Sequence, residues 1–257
     1  MPEIRQPRRI TADRRSLLVH GERIVAHQHA EGQLVYPASG VLGITTERGT
    51  WVAPANRVTW TPPGFEHCHQ AYGHTDARML KVPRALSATL PRQPAVFAVS
   101  PLLREALLAL TGGRQFLPGA RNRMRRVVID ELAGTPEQSL HLPEPSDGRL
   151  RAVTDVLHAD PANRSTLTEL GQAAGASERT LSRLFSTELG MSFHQWRTQL
   201  RIQHALVDLM NGCPVTDTAF RCGWSNPTSF IDAFTAALGQ TPGRYQAGLR
   251  RGGTRAG

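Results

Sequence analysis

A stretch near the C-terminus repeats itself at an offset of 49 residues. The aligned pairs are Ser177 with Asn226, Leu181 with Phe230, Phe185 with Phe234, Leu189 with Leu238, Gly190 with Gly239, Ser192 with Thr241 and Trp196 with Tyr245. Ser and Asn are favoured helix N-caps, and apolar residues at i and i+4 indicate a buried helical stripe. Each copy therefore predicts a helix-turn-helix, whose second helix enters the DNA major groove. Two copies predict a protomer that contacts two successive groove segments.

The outward faces of the two second helices are the predicted DNA-contacting surfaces. In the first unit, Leu181, Leu184 and Phe185 form the buried stripe, and small residues at the turn, Ala173, Ala174 and Gly175, are expected to let the helices approach closely. Arginine can pair with a guanine edge, and serine can contact bases or phosphates. The predicted contact residues are Arg179, Ser182, Arg183 and Ser186 in the first unit and Asn226, Thr228 and Asp232 in the second.

Charge and composition agree with a DNA partner without locating the DNA-binding half. The 257 residues are enough for two domains, and the net charge of +9 favours a polyanion. Residues 1–148 carry 18 basic and 13 acidic side chains, against 12 and 8 in residues 149–257. There is no apolar run long enough to span a membrane and no secretory signal, and three cysteines fit a reducing compartment, so we expect a cytoplasmic protein.

The chain changes character along its length, which predicts an α+β protein of two domains. Short strand-forming runs separated by Gly and Pro fill the first ninety residues and predict a small β-barrel or sandwich. Among them are Gln33–Tyr36 and Val41–Thr46, which Pro37 and Gly40 separate. Two amphipathic helices, about 101–111 and 120–133, follow as a hairpin. The predicted divisions are a sensor domain at 1–95, the hairpin at 96–133, a linker rich in Pro, Gly and Ser at 134–148, an all-α domain with both helix-turn-helix units at 149–250, and a tail at 251–257.

Two His-x-His pairs lie in the predicted strands of the first domain. His27 and His29 share one strand face, because side chains alternate along a strand, and His67 and His69 share another. If these strands are neighbours, three or four imidazoles converge, as they do in transition-metal sites. The alternative is a small-molecule pocket in which the histidines serve only as hydrogen-bonding groups.

Residues 149–250 resemble the DNA-binding domain of AraC/XylS-family transcription regulators. The motifs that carry this resemblance are Val215, Ala219, Gly223-Trp224, Ser229-Phe230, Phe234, Gly239-Gln240-Thr241-Pro242 and Tyr245. The resemblance implies base contacts by Arg179, Ser182 and Arg183, and by Thr228 and Asp232 in the second unit. It also implies that the helical hairpin forms a homodimer. The chain departs from the family pattern at Thr235 and Gln246, where the family has basic residues.

The segment from His27 to Pro83 resembles the cupin-type sensor domain of one subgroup of that family. Its motifs are His27, His29, Gln33 and Gly40, followed by Pro62, Gly64 and His67. The resemblance implies that His27, His29 and His67 bind a divalent transition metal, which the sequence does not identify among iron, manganese, zinc and nickel. Gln33 stands where the family has Glu, which removes one negative charge, and His69 can substitute as a fourth ligand.

Two functions are compatible with these features. The first is a sequence-specific transcription regulator that binds double-stranded promoter DNA and senses a small molecule or metal through its barrel. The alternative is a metal-dependent cupin enzyme fused to a DNA-binding domain. Gln33 disfavours the enzyme, because it breaks the ligand set that such enzymes usually have.

Overall fold

The computed structural model describes residues 4–5, 13–47, 49–137 and 141–253. The chain divides into two compact units, and the division falls between His141 and Leu142, inside the predicted linker. The N-terminal unit is built on a β-sheet with two helices, and the C-terminal unit is helical, as the sequence predicts.

The described strands of the N-terminal unit form one largely antiparallel sheet, in which the first strand pairs with the third in parallel. The strands are β1 (Ile4–Arg5), β2 (Arg14–Leu18), β3 (Arg23–His27), β4 (Gly32–Thr46), β5 (Gly49–Pro54), β6 (Arg57–Thr61), β7 (His67–Val82), β8 (Ala95–Ala98) and β9 (His141–Leu142). The central path runs β1-β3-β7-β4-β5-β9, with β2 beside β7 and β6 between β4 and β8. Among the described strands this path is open, and β8 extends the sheet past the predicted boundary at residue 95.

Two long strands replace the shorter ones predicted from the sequence. The runs Gln33–Tyr36 and Val41–Thr46 are parts of a single strand, β4, which pairs along its length with β7. The register shifts near Ser39, and Gly40 adopts a left-handed φ of 82°. These bulges bend the strand without ending it, so the Pro and Gly that suggested a turn mark a bend within one strand.

Each face of the sheet carries its own apolar core because side chains alternate along β4 and β7. Leu34 and Leu80 belong to the core that includes the two helices, α1 (Pro101–Thr111) and α2 (Ala120–Ala133). Ser100 caps α1 by accepting a hydrogen bond from the Leu103 amide. Val35 and Met79 belong to a second core with Ile44 and Ala71. The predicted helical hairpin is confirmed, and it packs on the face opposite this second core.

The C-terminal unit contains the predicted double helix-turn-helix. Its helices are α3 (Gly148–Ala159), α4 (Leu167–Ala173), α5 (Glu178–Leu189), α6 (Phe193–Met210), α7 (Val215–Arg221), α8 (Pro227–Leu238) and α9 (Pro242–Gly253). None of the helices in the described residues combines the length and hydropathy that a bilayer-spanning segment requires.

The 49-residue repeat is present in three dimensions. Ser177 caps α5 and Asn226 caps α8, each accepting a hydrogen bond from the backbone amide three residues on. Gly190 and Gly239 end these helices with φ of 67° and 70°. The paired apolar side chains are buried, from Leu181 with Phe230 to Trp196 with Tyr245. The prediction of two equivalent units is therefore confirmed.

In the first helix-turn-helix unit, the backbone segments approach most closely at Gly171, a residue that the sequence analysis did not identify. A Cβ on Gly171 would lie 2.4 Å from the Ala176 carbonyl oxygen. Ala173 is instead exposed, and Gly175 provides a left-handed turn with φ of 66° in open space. The expectation that small residues let the helices approach was wrong for Ala173 and Gly175, whereas Ala174 does pack against the core.

Two arginines on α6 hold the loop that follows α3. Arg197 donates to the Ser165 carbonyl at 3.0 Å, and Arg201 donates to the Pro161 and Asn163 carbonyls, each at 3.0 Å. The guanidinium of Arg201 also lies over the Trp224 ring, with its carbon 5.8 Å from the ring centroid. These contacts join the first helix-turn-helix unit to the turn of the second helix-turn-helix unit.

The second half of the predicted linker is part of the C-terminal unit. Leu142 is buried in the core of that unit, and the Pro143 carbonyl accepts a 3.1 Å hydrogen bond from the Trp196 indole. Asp147 caps α3. The composition of residues 134–148 suggested a linker, but three of its residues hold α3 and α6 in place.

Candidate functional site

The outer face of α5 presents the four side chains predicted for the first unit. Arg179, Ser182, Arg183 and Ser186 are all exposed, at the i, i+3, i+4 and i+7 spacing that forms one helix face. Together with Thr180 and Thr187 they line a shallow surface concavity. The face combines two guanidinium groups with hydroxyl donors, a set suited to base edges and phosphates.

The outer face of α8 is different in charge. Thr228 and Asp232 are exposed, as predicted, but α8 contains no basic residue. The side-chain oxygen of Asn226 accepts a 2.8 Å hydrogen bond from the Ser229 amide, so it is engaged in capping the helix. The second unit therefore offers hydroxyl and carboxylate groups without the cationic side chains of the first.

Histidines from neighbouring strands converge at one end of the N-terminal sheet. His27 and His67 are register partners across β3 and β7. One ring nitrogen from each of His27, His29 and His67 lies within 4.8 Å of the others. Zinc–nitrogen bonds of about 2.1 Å place ligand nitrogens about 3.4 Å apart, so small ring movements would complete a three-histidine site. His69 lies behind this group, with its ring centroid 5.1 Å from that of His67.

Backbone hydrogen bonds orient two of these rings toward one another. His27 Nδ1 donates to the Val25 carbonyl and His67 Nδ1 to the Phe65 carbonyl, each at 2.9 Å. A carbonyl can only accept, so Nδ1 carries the proton and Nε2 keeps its lone pair. Both Nε2 atoms are buried without a hydrogen-bond partner. A hydrogen bond from Nδ1 to a backbone carbonyl is the contact that usually orients a metal-binding histidine.

Burial keeps the imidazoles neutral. Desolvation lowers the pKa of His67 to about 3 and the pKa of His69 well below its ordinary value. Desolvation also lowers the pKa values of His27 and His29. Neutral imidazole is the form that binds metals, so the cluster is in its ligating state at neutral pH.

When His29 is neutral, it has one N–H too few for the two oxygen atoms that it contacts. Its Nδ1 faces the Glu31 carbonyl, and its Nε2 lies 2.6 Å from Gln33 Oε1. A neutral imidazole has a single N–H, so it can satisfy only one of these two oxygen atoms. A cation at Nε2 would use the remaining lone pair. Gln33, predicted as part of the site, is thus in direct contact with a candidate ligand.

Lys81 completes the cluster and was missed from the sequence. Its Nζ donates a 3.0 Å hydrogen bond to Gln33 Oε1, and the two residues are register partners in β4 and β7. Burial lowers the pKa of Lys81 to about 8. One sequence signal could have revealed it, because Lys81 is the only lysine among 30 basic residues.

Asp13 anchors the strand that carries Lys81 and was also missed. Asp13 Oδ1 accepts a 3.0 Å hydrogen bond from the Lys81 backbone amide. Its Oδ2 accepts from Arg121 at 2.6 Å and from Arg125 at 2.5 Å, both on α2. The histidine cluster is thereby linked to the helical hairpin through one buried carboxylate.

Comparison with known proteins identifies a family. A model described as a helix-turn-helix domain matches residues 170–248. The HTH-type transcriptional regulator NimR of Escherichia coli is 36% identical over 226 residues, which cover 87% of this chain and 82% of NimR. The HTH-type transcriptional regulator RipA of Corynebacterium glutamicum is 33% identical over 106 residues, 41% of this chain and 32% of RipA.

Among solved structures, the DNA-binding domain of AdpA in complex with a target DNA is 25% identical, with a TM-score of 0.40, over 43% of this chain and all of that one. The relatives are named as transcriptional regulators, which decides between the two functions left open by the sequence: the chain is a DNA-binding regulator and not an enzyme. Because NimR aligns over most of both chains and the repeat carries the matching motifs, the chain belongs to the AraC/XylS family of helix-turn-helix transcription regulators.

Proposed function

We propose that this regulator selects its promoter mainly through α5, with α8 in a positioning role. The observation that carries this proposal is the contrast between the two outer faces, since α5 exposes Arg179 and Arg183 whereas α8 exposes Asp232 and no basic residue. An arginine–guanine pair gives about 1–3 kcal/mol of discrimination. Asp232 can accept from cytosine N4, but its carboxylate is repelled by the neighbouring phosphates and gives no contact with the backbone. Ser182, Ser186 and Thr228 supply further polar contacts, and Asn226, whose oxygen caps α8, contributes its side-chain nitrogen.

Binding-site selection with full-length variants tests this division of roles. Genomic fragments retained by the wild type are sequenced, and affinity for the selected site is measured at several salt concentrations. Arg183→Ala should weaken binding by about 1–3 kcal/mol and relax one base position. Asp232→Ala should leave the selected motif unchanged.

Arg92→Ala is the charge-matched control, because Arg92 is an exposed arginine of the N-terminal unit. It should leave both affinity and motif unchanged. Loss of the motif in Asp232→Ala, with an intact motif in Arg183→Ala, would reverse the assignment.

We propose that the N-terminal unit is a cupin-type barrel that senses its effector at the histidine cluster. His27, His29 and His67 would hold a divalent transition metal, with His69 and Gln33 beside it. The support is the convergence of three ring nitrogens, two of them buried, with unused lone pairs and Nδ1 fixed by a backbone carbonyl. Such a bound metal would supply a Lewis-acidic centre for an effector.

Metal analysis of protein purified without a tag or chelator tests the site. Wild-type protein should contain about one transition metal per chain, and His27→Ala, His29→Ala and His67→Ala should each lose it. His74→Ala is the matched control, since His74 is an exposed histidine of the same strand as His67. Wild-type protein that neither contains nor takes up metal would leave the cluster as a hydrogen-bonding pocket only.

We also propose that the α1–α2 hairpin forms a homodimer and that the protein acts in the cytoplasm. Leu102 and Leu117 are large apolar side chains exposed in the hairpin and its connecting loop. Leu102→Glu should shift the mass measured by light scattering from dimer to monomer. The free thiols of Cys68, Cys213 and Cys222 and the DNA partner support the cytoplasmic location.

A further inference from the structure

Lys81 is an unusual choice for its position. In a chain whose other 29 basic residues are arginines, the one lysine is 4% exposed and lies beside the histidine cluster. A lysine amine is a compact charge, whereas a guanidinium is a wide planar fork with five donors. The position therefore calls for a small cationic group that a guanidinium would not provide.

The charge of Lys81 is not neutralised by the residues around it. Its Nζ has one hydrogen-bond partner, the uncharged Gln33 Oε1, and among the residues that the structure describes no carboxylate lies within ion-pair distance. The Asp13 carboxylate lies nearby, but its oxygens accept hydrogen bonds from the Lys81 backbone amide and from Arg121 and Arg125.

The other groups that face the site supply little negative charge. Arg14, on the neighbouring β2, repels a positive charge on Lys81 or His27, and Glu31, which attracts Lys81, is exposed. The imidazoles are neutral, and Gln33 stands where a carboxylate would have contributed a negative charge. A divalent metal would bring two more positive charges. Buried charges are costly unless they are paired, so the site lacks an anion.

We propose that the effector of this site carries an anionic oxygen group, a small carboxylate or an inorganic oxyanion, which binds between the metal and Lys81 Nζ. Lys81 contacts the ligand directly, and the Gln33 side-chain nitrogen, buried without a hydrogen-bond partner, is a second donor. This assignment rests on the proposed metal site and adds the class of ligand that it takes.

The single lysine makes the contact directly observable. Full-length protein labelled with ¹³C-lysine shows one Cε resonance from lysine, that of Lys81. Zinc-loaded protein is titrated with acetate, benzoate or phosphate at constant ionic strength, with acetamide as the neutral counterpart of acetate. We expect a saturable shift of this resonance with at least one anion and none with acetamide. Saturation by the carboxylates or by phosphate distinguishes the two sources of the anionic group.

Two variants separate the roles of charge and shape. Lys81→Met keeps an unbranched side chain without the amine. Because this variant has no lysine signal, its anion affinity is measured by calorimetry beside the wild type, and it should be at least tenfold weaker while zinc still binds. Gln33→Glu supplies an internal carboxylate next to Lys81 and should also weaken anion binding at least tenfold. Gln70→Glu is the matched control, because it makes the same change in β7, the strand of Lys81, at a residue that contacts Arg23. It should leave anion affinity unchanged.

The outcomes separate this inference from the metal proposal. Zinc binding without any shift by the three anions would overturn the inference alone. An anion-induced shift in protein that takes up no zinc would refute the metal site and sustain the contact with Lys81. If Lys81→Met does not fold, the wild-type titration and Gln33→Glu still decide, since unchanged anion affinity in Gln33→Glu would contradict the charge argument.

Discussion

Replacing Asp13 with alanine should destabilise the N-terminal unit by about 3 kcal/mol. The side chain of Asp13 is 2% exposed and accepts hydrogen bonds from the Lys81 amide, Arg121 and Arg125. Leaving the Lys81 amide without its acceptor costs about 1–3 kcal/mol. Breaking a buried ion pair costs about 3–5 kcal/mol. That second figure is reduced here, because the Arg121 and Arg125 side chains are 36% and 19% exposed and can regain water.

Hydrogen exchange at Lys81 measures this loss at a single site. Labelling with ¹⁵N-lysine gives one lysine backbone amide signal, and its exchange rate reports the opening free energy of β7. Urea unfolding of the same samples gives the global value. Asp13→Asn keeps an acceptor for the Lys81 amide and should lose about 1–2 kcal/mol.

Glu105→Ala is the control for the loss of a carboxylate that pairs with arginine on the surface. Its side chain is 67% exposed and that of its partner Arg104 is 49% exposed. Exposed pairs contribute about 0–1 kcal/mol. If Asp13→Ala is no more destabilising than Glu105→Ala, the buried carboxylate does not stabilise the sheet and the reasoning is wrong.

Three further predictions concern other parts of the chain. Gly223→Ala should destabilise the C-terminal unit by about 2–4 kcal/mol in urea unfolding, because φ is 87° and a Cβ would lie 2.8 Å from Ala162 Cα. The control Gly239→Ala has φ of 70° and open space around the added Cβ, so it should cost only about 1 kcal/mol. A fragment starting at residue 149 should be about 3 kcal/mol less stable than one starting at residue 142, since it lacks the buried Leu142 and the carbonyl that accepts from Trp196; equal midpoints would contradict this. Metal-free protein should lose stability as the pH falls below 6.5, by about 1.4 kcal/mol per pH unit for each of His67 and His69, because their lowered pKa values mean that the unfolded chain binds more protons; a flat profile between pH 6.5 and 5 would refute this.

Local patterns were enough to predict the helical half of the molecule. N-caps at Ser177 and Asn226, a glycine after each helix and the apolar spacing mark where α5 and α8 begin and end. These signals act within a few residues, so they can be read without knowledge of the fold. The convergence of His27, His29 and His67 was also accessible, because alternation along strands places each pair on one face.

The supporting residues of the site depend on contacts between distant parts of the chain. Lys81 reaches Gln33 across 48 residues, and Asp13 reaches Arg125 across 112. Neither residue belongs to a local motif, so only the pairing of strands and the packing of α2 bring them together. Gly171 is a different case. It has no room for a Cβ because a carbonyl only five residues away lies against it, and the turn sets the position of that carbonyl.

Because side chains alternate along β4 and β7, the register of these strands decides which residues lie on each face of the sheet. Gln33 and Val35 point to the histidine face, and Leu34 and Tyr36 point to the helical hairpin. Inserting or deleting one residue in β4 would exchange these sets, burying Gln33 under the helices and moving Leu34 to the imidazoles. Such a change would therefore disrupt both the histidine cluster and the packing of the helices on the sheet. The central strands should therefore accept substitutions far more readily than changes in length.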